Sequence, residues 1–230
     1  MMKHLLTTLI ILLSVQTRAQ FALIESKDGF AYVRETPEIG NNIIEKLSNG
    51  EIIMVDEIEY SPEQTWFYVK LIEEKAGYIH KSGVKFIHSL TKGNLNLSTE
   101  NSSLISTDEC VLNVSSQKFN SKKYKITYKK NNTPNSEQVL KINGKEFWGT
   151  DYGLPTTVYN KVFIKLKGKT INLPIDGLFN PNLKATNMYV DKTTDRIYII
   201  AKNGDGAGSY STIWLIEKGK FSKRIVIKIA

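Results

Sequence analysis

The sequence predicts an all-β protein built from two domains. Short runs rich in β-branched and aromatic residues alternate with Gly, Asn, Pro and Asp turns along the whole chain. The formal charge reverses along the chain: residues 20–90 carry seven basic and twelve acidic side chains, a net charge of −5, whereas residues 91–230 carry 22 and 11, a net charge of +11. Residues 89–108 mark the same place by composition, because they are rich in Ser, Thr and Asn and lack aromatic residues. We therefore expect a domain at 20–88, a linker at 89–108 and a second domain at 109–230; a short edge strand at the end of the linker stays open.

The first nineteen residues have the features of a secretory signal peptide. Basic Lys3 precedes the apolar run from Leu5 to Leu13, and small residues stand at Thr17 and Ala19. A membrane anchor is the alternative, but the apolar run is about half of the roughly 20 residues that a spanning helix needs. The sequence thus predicts cleavage near Ala19/Gln20 and a mature chain, without a transmembrane segment, that is periplasmic or secreted.

In the first domain the predicted strands are short and close together. The dipeptide Asn49-Gly50 indicates a tight hairpin, and Pro37 ends a strand because proline cannot donate a backbone hydrogen bond to a ladder. The expected strands are 30–34, 43–47, 51–58, 66–72 and 76–80. Five strands in about sixty residues are typical of a small barrel.

These strands carry a resemblance to a known family. The segments AYVRETP at 31–37, IIEKL at 43–47, NGE at 49–51, WFYVK at 66–70 and GYIH at 77–80 follow one another in the order and spacing that bacterial SH3 (SH3b) domains have, over residues 28–87. The resemblance implies an SH3-like barrel of the kind that accompanies cell-wall enzymes and helps to bind peptidoglycan or other envelope components. Tyr32 and Tyr78 differ from the small polar residue and the Trp that the family usually has at these places.

Four aromatic side chains are candidates for a ligand-binding groove on the SH3b-like domain. They are Tyr32, Trp66, Tyr68 and Tyr78. Flat rings give a large contact area at a low cost in conformational entropy, which suits them to recognition. The alternative is that they are core residues, since every second residue of a half-buried strand faces the core.

The second domain reads as an antiparallel meander, folded as a sandwich or as a curved sheet. Asn143-Gly144, Lys167-Gly168 and Lys218-Gly219 indicate hairpins. The expected strands are 110–114, 123–129, 138–142, 161–166, 188–191, 196–201, 211–217 and 223–229.

Two stretches of the second domain are candidate functional loops. Residues 148–155 (WGTDYGLP) and 203–210 (NGDGAGSY) are rich in glycine, and they are similar to segments of small exported proteins of unassigned function. The second stretch lacks the helix that a phosphate loop needs and the oxygen ligands that a calcium loop needs. A wide strand connection is the plain interpretation. A binding loop is the functional one, with Asp151, Asp205 and Tyr210 as its candidate residues.

Catalytic chemistry finds little support in the sequence. Cys110 is the single cysteine, and no histidine follows it to act as a base, so we interpret it as a core residue rather than a nucleophile. The histidines and Cys110 lack metal-ligand spacing, so we expect neither a metal nor another cofactor. A carboxylate pair that comes together only in space would leave no pattern in one sequence, so hydrolase chemistry of that kind stays open.

The sequence therefore favours an exported, non-enzymatic envelope protein whose SH3b domain binds peptidoglycan or another envelope component. The expected partner is a cell-wall glycan or peptide, or an envelope protein. Nucleic acid is not expected, because the chain is predicted to be exported. The alternative is a protein-binding module of the immunity or inhibitor type, which neutralises a wall-targeting toxin or enzyme.

Overall fold

The computed structural model describes residues 20–56, 64–72, 75–130, 137–151, 153–204 and 206–228. The predicted signal peptide at 1–19 lies outside these residues. The described strands, numbered in chain order, are β1 (Gln20–Ile24), β2 (Phe30–Arg34), β3 (Ile43–Ser48), β4 (Ile52–Val55), β5 (Trp66–Lys70), β6 (Ala76–His80), β7 (Val84–Phe86), β8 (Thr91–Lys92), β9 (Asn94–Ser98), β10 (Ser102–Ser106), β11 (Cys110–Lys118), β12 (Ile126–Lys130), β13 (Glu137–Ile142), β14 (Thr157–Leu166), β15 (Lys169–Asn172), β16 (Thr186–Asp191), β17 (Arg196–Asn203), β18 (Tyr210–Glu217) and β19 (Lys220–Lys228).

The all-β prediction is confirmed. Helical structure in the described residues is limited to single 3-10 turns at Lys81–Gly83, Ile87–Ser89, Ser121–Lys123, Leu183–Ala185 and Gly206–Gly208. No helix in the part of the chain that the structure describes is long and apolar enough to cross a membrane.

The chain divides into two compact units. Of the described residues, the first contains Gln20 and residues from 24 to 84, and the second contains Phe21–Leu23 and residues from Lys85 onward. In the first unit the hydrogen-bonded strand order is β3-β2-β6-β5-β4, with antiparallel pairing throughout. Ile24 exchanges backbone hydrogen bonds with the turn before β4, through the Gly50 amide and the Glu51 carbonyl.

The second unit is a β-sandwich, one of the two forms that the sequence left open. One five-stranded antiparallel sheet has the order β15-β14-β11-β10-β9 and the other has β19-β18-β17-β16-β8. Apolar side chains of both sheets meet in one core, among them Leu112 and Ile164 from the first sheet and Met188, Ile199 and Trp214 from the second. The hairpin β12-β13 forms a separate two-stranded ribbon.

The hairpin turns follow the dipeptides that the sequence pointed to. Lys167-Gly168 joins β14 to β15 with φ of 49° and 77°, and Lys218-Gly219 joins β18 to β19 with φ of 49° and 70°. Positive φ at both central residues is the geometry of a type I′ turn, whose twist matches that of the flanking strands.

The linker prediction for residues 89–108 is corrected by the structure. The boundary between the units lies between Val84 and Lys85, and residues 89–108 contain β8, β9 and β10, which are strands of the sandwich. Every residue of β9 is exposed. Because an edge strand of this kind needs no apolar alternation, its composition resembles that of a linker.

Candidate functional site

Strand alternation sorts the first unit's side chains onto two faces. In β5, Phe67 and Val69 are buried, whereas Trp66 and Tyr68 are half-buried. In β6, Ile79 is buried and its neighbours in the strand alternate in the same way. Because successive residues of a strand point to opposite sides of the sheet, the buried set packs inward and the aromatic set lies on the outer face.

The predicted groove residues lie together on that outer face. Tyr68 and Tyr78 are direct cross-strand partners with ring centroids 5.2 Å apart, and Trp66 and His80 form the next pair at 5.2 Å. Both contacts are edge-to-face, the arrangement that the ring quadrupole favours. The rings make a continuous aromatic surface on β5 and β6, in which Trp66 and Tyr78 are half-buried rather than fully buried.

Strand β2 extends this surface through Tyr32. Arg34 pairs in register with Tyr78 of β6, and Tyr32 lies two residues earlier on the same face of β2. The Arg34 guanidinium carbon is 5.6 Å from the centre of the Tyr32 ring, within cation–π range. Phe30 meets Tyr32 edge to face at 5.1 Å. We call these rings of β2, β5 and β6 the aromatic surface: Phe30, Tyr32, Trp66, Tyr68 and Tyr78.

A hydrogen-bonded loop adjoins the aromatic surface, and the sequence alone did not point to it. Arg34 is nearly buried, and its Nη1 donates to the Gly40 carbonyl at 2.7 Å and to Asn42 Oδ1 at 2.9 Å. The Asn42 side chain in turn donates to the carbonyl of Thr36. These bonds hold the loop over residues 35–42, and Ile39 is 85% exposed on it. An arginine just before a Pro-containing turn was the available signal, but its partners could not be read from the sequence.

Cys110 is a core residue, as the sequence suggested. It is buried between the two sheets of the sandwich. Its Sγ lies 3.3 Å from Thr107 Oγ1 and 3.8 Å from Met188 Sδ. Burial raises the pKa of the Cys110 thiol, although the Thr107 contact acts in the opposite direction. Less thiolate is therefore present near neutral pH than in an ordinary exposed cysteine.

The two glycine-rich stretches of the second unit come together in space. A Cβ on Gly149 would lie 2.2 Å from the carbonyl oxygen of Phe179, and a Cβ on Gly208 would lie 2.6 Å from the carbonyl carbon of Thr150. A Cβ on Gly204 would lie 2.6 Å from the carbonyl oxygen of Gly208. Backbone therefore packs on backbone where these loops meet, which only glycine permits.

The side chain and backbone of Asn180 form hydrogen bonds with both glycine-rich loops. Its Oδ1 accepts from the Thr156 amide at 2.9 Å and from the Thr157 amide at 3.1 Å, and its Nδ2 donates to the Gly149 carbonyl at 2.7 Å. Its own carbonyl accepts from the Gly204 amide at 3.0 Å. One side chain and its backbone thus connect three segments of the chain.

The three candidate residues that the sequence suggested for a binding loop differ in where the structure places them. Asp151 is exposed at the rim of the glycine-packed loops. Asp205 lies outside the described residues. Tyr210 is wrong as an accessible loop residue, because it is fully buried and its hydroxyl donates to the Phe179 carbonyl at 2.9 Å. It is the first residue of β18 and its ring points into the sandwich core, where burial raises the pKa of the phenol.

A cleft of about 340 Å³ opens beside these loops. Its walls come from residues 147–151 and 207–209, with one side chain each from β13 and β19. Within the described part of the chain, no group of three or more His, Cys, Asp or Glu side chains is placed to hold a metal ion. Comparison with protein-family models, with curated proteins and with solved structures finds no match to this chain.

Proposed function

We propose that this chain is an exported, non-enzymatic protein of the bacterial cell envelope, and that its first unit is an SH3b-type barrel that binds peptidoglycan or another envelope component. The observation that carries the proposal is the aromatic surface, which gathers Tyr32, Trp66, Tyr68 and Tyr78 on one face of neighbouring strands. The SH3b resemblance of residues 28–87 supports the same interpretation from the sequence.

The physical basis of the proposal is the unfavourable free energy of leaving such rings in contact with water. Aromatic rings bury a large area with few rotatable bonds, so a partner gains contact without much ordering of side chains. Edge-to-face pairs already restrict Trp66, Tyr68 and Tyr78 before any ligand arrives. Preorganised rings lose little further entropy on binding.

A binding protein is favoured over a thiol hydrolase by the setting of Cys110. A thiol nucleophile needs a neighbouring base and a lowered pKa. Cys110 has a hydroxyl and a thioether beside it and a raised pKa. The aromatic surface in turn offers contact area rather than an acid and a base in hydrogen-bond reach.

Sedimentation with purified peptidoglycan tests the proposal on the mature chain, residues 20–230. We expect the protein to co-sediment with the wall, and the double variant Tyr68→Ala/Tyr78→Ala to bind at least ten-fold more weakly. Tyr128→Ala is the matched control, because Tyr128 is 44% exposed but belongs to the second unit. Circular dichroism checks that each variant is folded. Equal binding by the double variant, or no binding by the wild type, contradicts the proposal.

A protein partner is the second candidate, and Ile39 is the observation that favours it. An isoleucine that is 85% exposed on a hydrogen-bonded loop is a preformed apolar contact of the kind that fills a pocket of another protein. In the immunity or inhibitor type of function, the protein slows a wall-cutting enzyme. Wall lysis by a purified muramidase, followed by turbidity, tests this: Ile39→Ser should relieve inhibition whereas Tyr68→Ala should not. Absence of inhibition by the wild type rejects this candidate for that enzyme class.

A further inference from the structure

The cleft of the second unit combines two opposite charges with fixed walls. Asp151 stands on one of its loops, and Lys228 reaches it from the end of β19. Trp148, Thr150 and Ser209 also line the cleft, and the Thr150 hydroxyl, which donates to the Gly153 carbonyl at 2.7 Å, keeps its oxygen as an acceptor. The cleft volume of about 340 Å³ is near the lower end of ligand sites in proteins, which suits a small ligand.

The Asp151 carboxylate has a defined place in the cleft. Its Oδ2 lies 3.1 Å from where a Cβ on Gly206 would be, and its Oδ1 lies 2.8 Å from where a Cβ on Gly208 would be. The glycines therefore leave room for the carboxylate against the 3-10 turn Gly206–Gly208. Side chains at these two positions would push Asp151 away from the turn.

Neither charge of the cleft is neutralised by the residues that the structure describes. Neither the Asp151 carboxylate nor the Lys228 ammonium takes part in an ion pair or a side-chain hydrogen bond with another described residue, unlike charged pairs such as Arg196 and Glu217. The two groups line one cleft without being within 4.0 Å of each other. A ligand with two charges can therefore meet both of them.

We propose that this cleft binds a small zwitterion, either a free amino acid or a short peptide, whose ammonium group pairs with Asp151 and whose carboxylate pairs with Lys228. A charge-assisted hydrogen bond is about twice as strong as a neutral one, so both ends contribute to affinity and orientation. The hydroxyl oxygens of Thr150 and Ser209 contact the atoms between the two charged ends.

Other ligand classes fit the cleft less well. A phosphate or another anion at the glycine turn meets the Asp151 carboxylate, which repels it. A divalent cation needs several oxygen ligands, and Asp151 is the single carboxylate that lines the cleft among the described residues. An ammonium group needs one carboxylate and a few neutral acceptors, which the cleft supplies.

The walls of the cleft are built to stay in place. Gly149 and Gly208 pack against backbone, and Asn180 ties the Gly149 carbonyl to the strand that begins at Thr157. A preorganised site loses less entropy when it binds a ligand than a loop that must first be ordered. This arrangement belongs to the second unit alone, so the proposal does not depend on the aromatic surface.

The test uses the mature chain and a panel of the common amino acids and their alanyl dipeptides, screened by thermal shift and measured by calorimetry. For the tightest ligand, we expect N-acetylation and C-terminal amidation each to weaken binding at least ten-fold. Asp151→Asn should weaken the parent ligand and lose its sensitivity to acetylation, and Lys228→Gln should do the same for amidation. A dipeptide that binds more tightly than the amino acid identifies a peptide end as the source, and the reverse order identifies the free amino acid.

Matched controls separate the site from general charge effects. Asp108→Asn removes an exposed carboxylate from the turn before β11, and Lys220→Gln removes an exposed lysine from the other end of β19. Both should bind like the wild type, as should Tyr68→Ala/Tyr78→Ala. No binding across the panel, equal binding of blocked and free ligands, or equal losses in the controls overturns the proposal.

Discussion

Tyr68 and Tyr78 face each other across β5 and β6, with ring centroids 5.2 Å apart and planes inclined at 64°. This pair lies at the centre of the aromatic surface, with Trp66 and His80 as the next pair along the two strands. The contact joins the two strands on the outer face, opposite the buried Phe67 and Ile79.

A double-mutant cycle should detect this contact. We expect Tyr68→Ala and Tyr78→Ala each to lower the free energy of unfolding by about 1 kcal/mol, because both rings are half-buried. The double variant should lose less than the two single losses together, by about 0.5–1.5 kcal/mol, since aromatic pairs have coupling energies of this size. Urea unfolding of the four proteins measures it. Strictly additive losses would show that the two rings do not stabilise each other.

The Cys110 thiol should react slowly with thiol reagents and should lose its proton at a higher pH than an exposed cysteine. Burial raises its pKa, so Ellman's reagent should label the native protein at least ten-fold more slowly at pH 7.5 than the protein in 6 M urea. Cys110→Ala should leave peptidoglycan binding unchanged and cost about 1 kcal/mol of stability. Rapid labelling of the native thiol would argue against a core position.

The same group links stability to pH. Because the folded thiol has the higher pKa, the folded state holds its proton at a pH where the unfolded state releases it. This contribution to stability is fully present below the unfolded pKa of about 8.5 and is lost as pH rises through the folded value. The free energy of unfolding of the wild type should therefore fall more steeply than that of Cys110→Ala above about pH 8.5. Parallel curves for the two proteins would contradict this linkage.

Much of the strand framework could be predicted, because the physics that decides it is local. Turn dipeptides such as Lys167-Gly168 fix hairpins, and β-branched and aromatic runs fix the strands between them. The sequence left open one short edge strand at the end of residues 89–108, where β10 lies, but β8 and β9 were missed because Ser, Thr and Asn dominate this stretch and β9 buries none of its residues. Their pairing is decided by neighbours that are distant in the chain.

The candidate sites could be predicted only in part, because contacts between residues that are distant in the chain leave no local pattern. Tyr32, Trp66, Tyr68 and Tyr78 could be nominated by residue type, and period-2 alternation already implied that some shared a face. The glycine-rich stretches were visible, but nothing in one sequence says that Gly149 lies against Phe179 or that Asp151 lies against Gly208. Tyr210 was misassigned because a residue that ends a loop and one that begins a strand look alike in sequence.

Gly149→Ala should be far more costly than Gly153→Ala. Gly149 has φ of 113°, which an L-residue rarely adopts, and its Cβ would lie 2.2 Å from the Phe179 oxygen. Apart from its chain neighbours, no described residue has a heavy atom within 4 Å of the Cβ position of Gly153. We expect a loss of more than about 3 kcal/mol for the first variant and a change within about 0.5 kcal/mol for the second. Thermal and urea unfolding compare them, and similar stabilities would refute the close packing of the loops.

Asn180 should be the most sensitive side chain near the cleft. It accepts from the amides of Thr156 and Thr157 and donates to the Gly149 carbonyl, and its φ is 47°. Asn180→Gly keeps the left-handed backbone accessible but removes all four side-chain bonds, the fourth being the one that the Thr156 hydroxyl donates to Oδ1 at 3.1 Å, so we expect a loss of about 2–3 kcal/mol. Asn180→Ala adds the strain of a left-handed residue with a Cβ and should cost about 1 kcal/mol more.

Asn180→Asp separates the two halves of this network. The aspartate keeps an acceptor for Thr156 and Thr157 but can no longer donate to the Gly149 carbonyl, and the carboxylate oxygen that replaces Nδ2 repels that carbonyl. At pH 7, Asn180→Asp should therefore lose less free energy of unfolding than Asn180→Gly does. This loss should become smaller still at a pH below about 4, where a protonated carboxyl can donate again. Urea unfolding of the three variants at pH 7 and pH 3 measures this order. If Asn180→Asp is as stable as the wild type at pH 7, the bond to Gly149 does not hold the loop, and the rigidity argued for the cleft loses its main support.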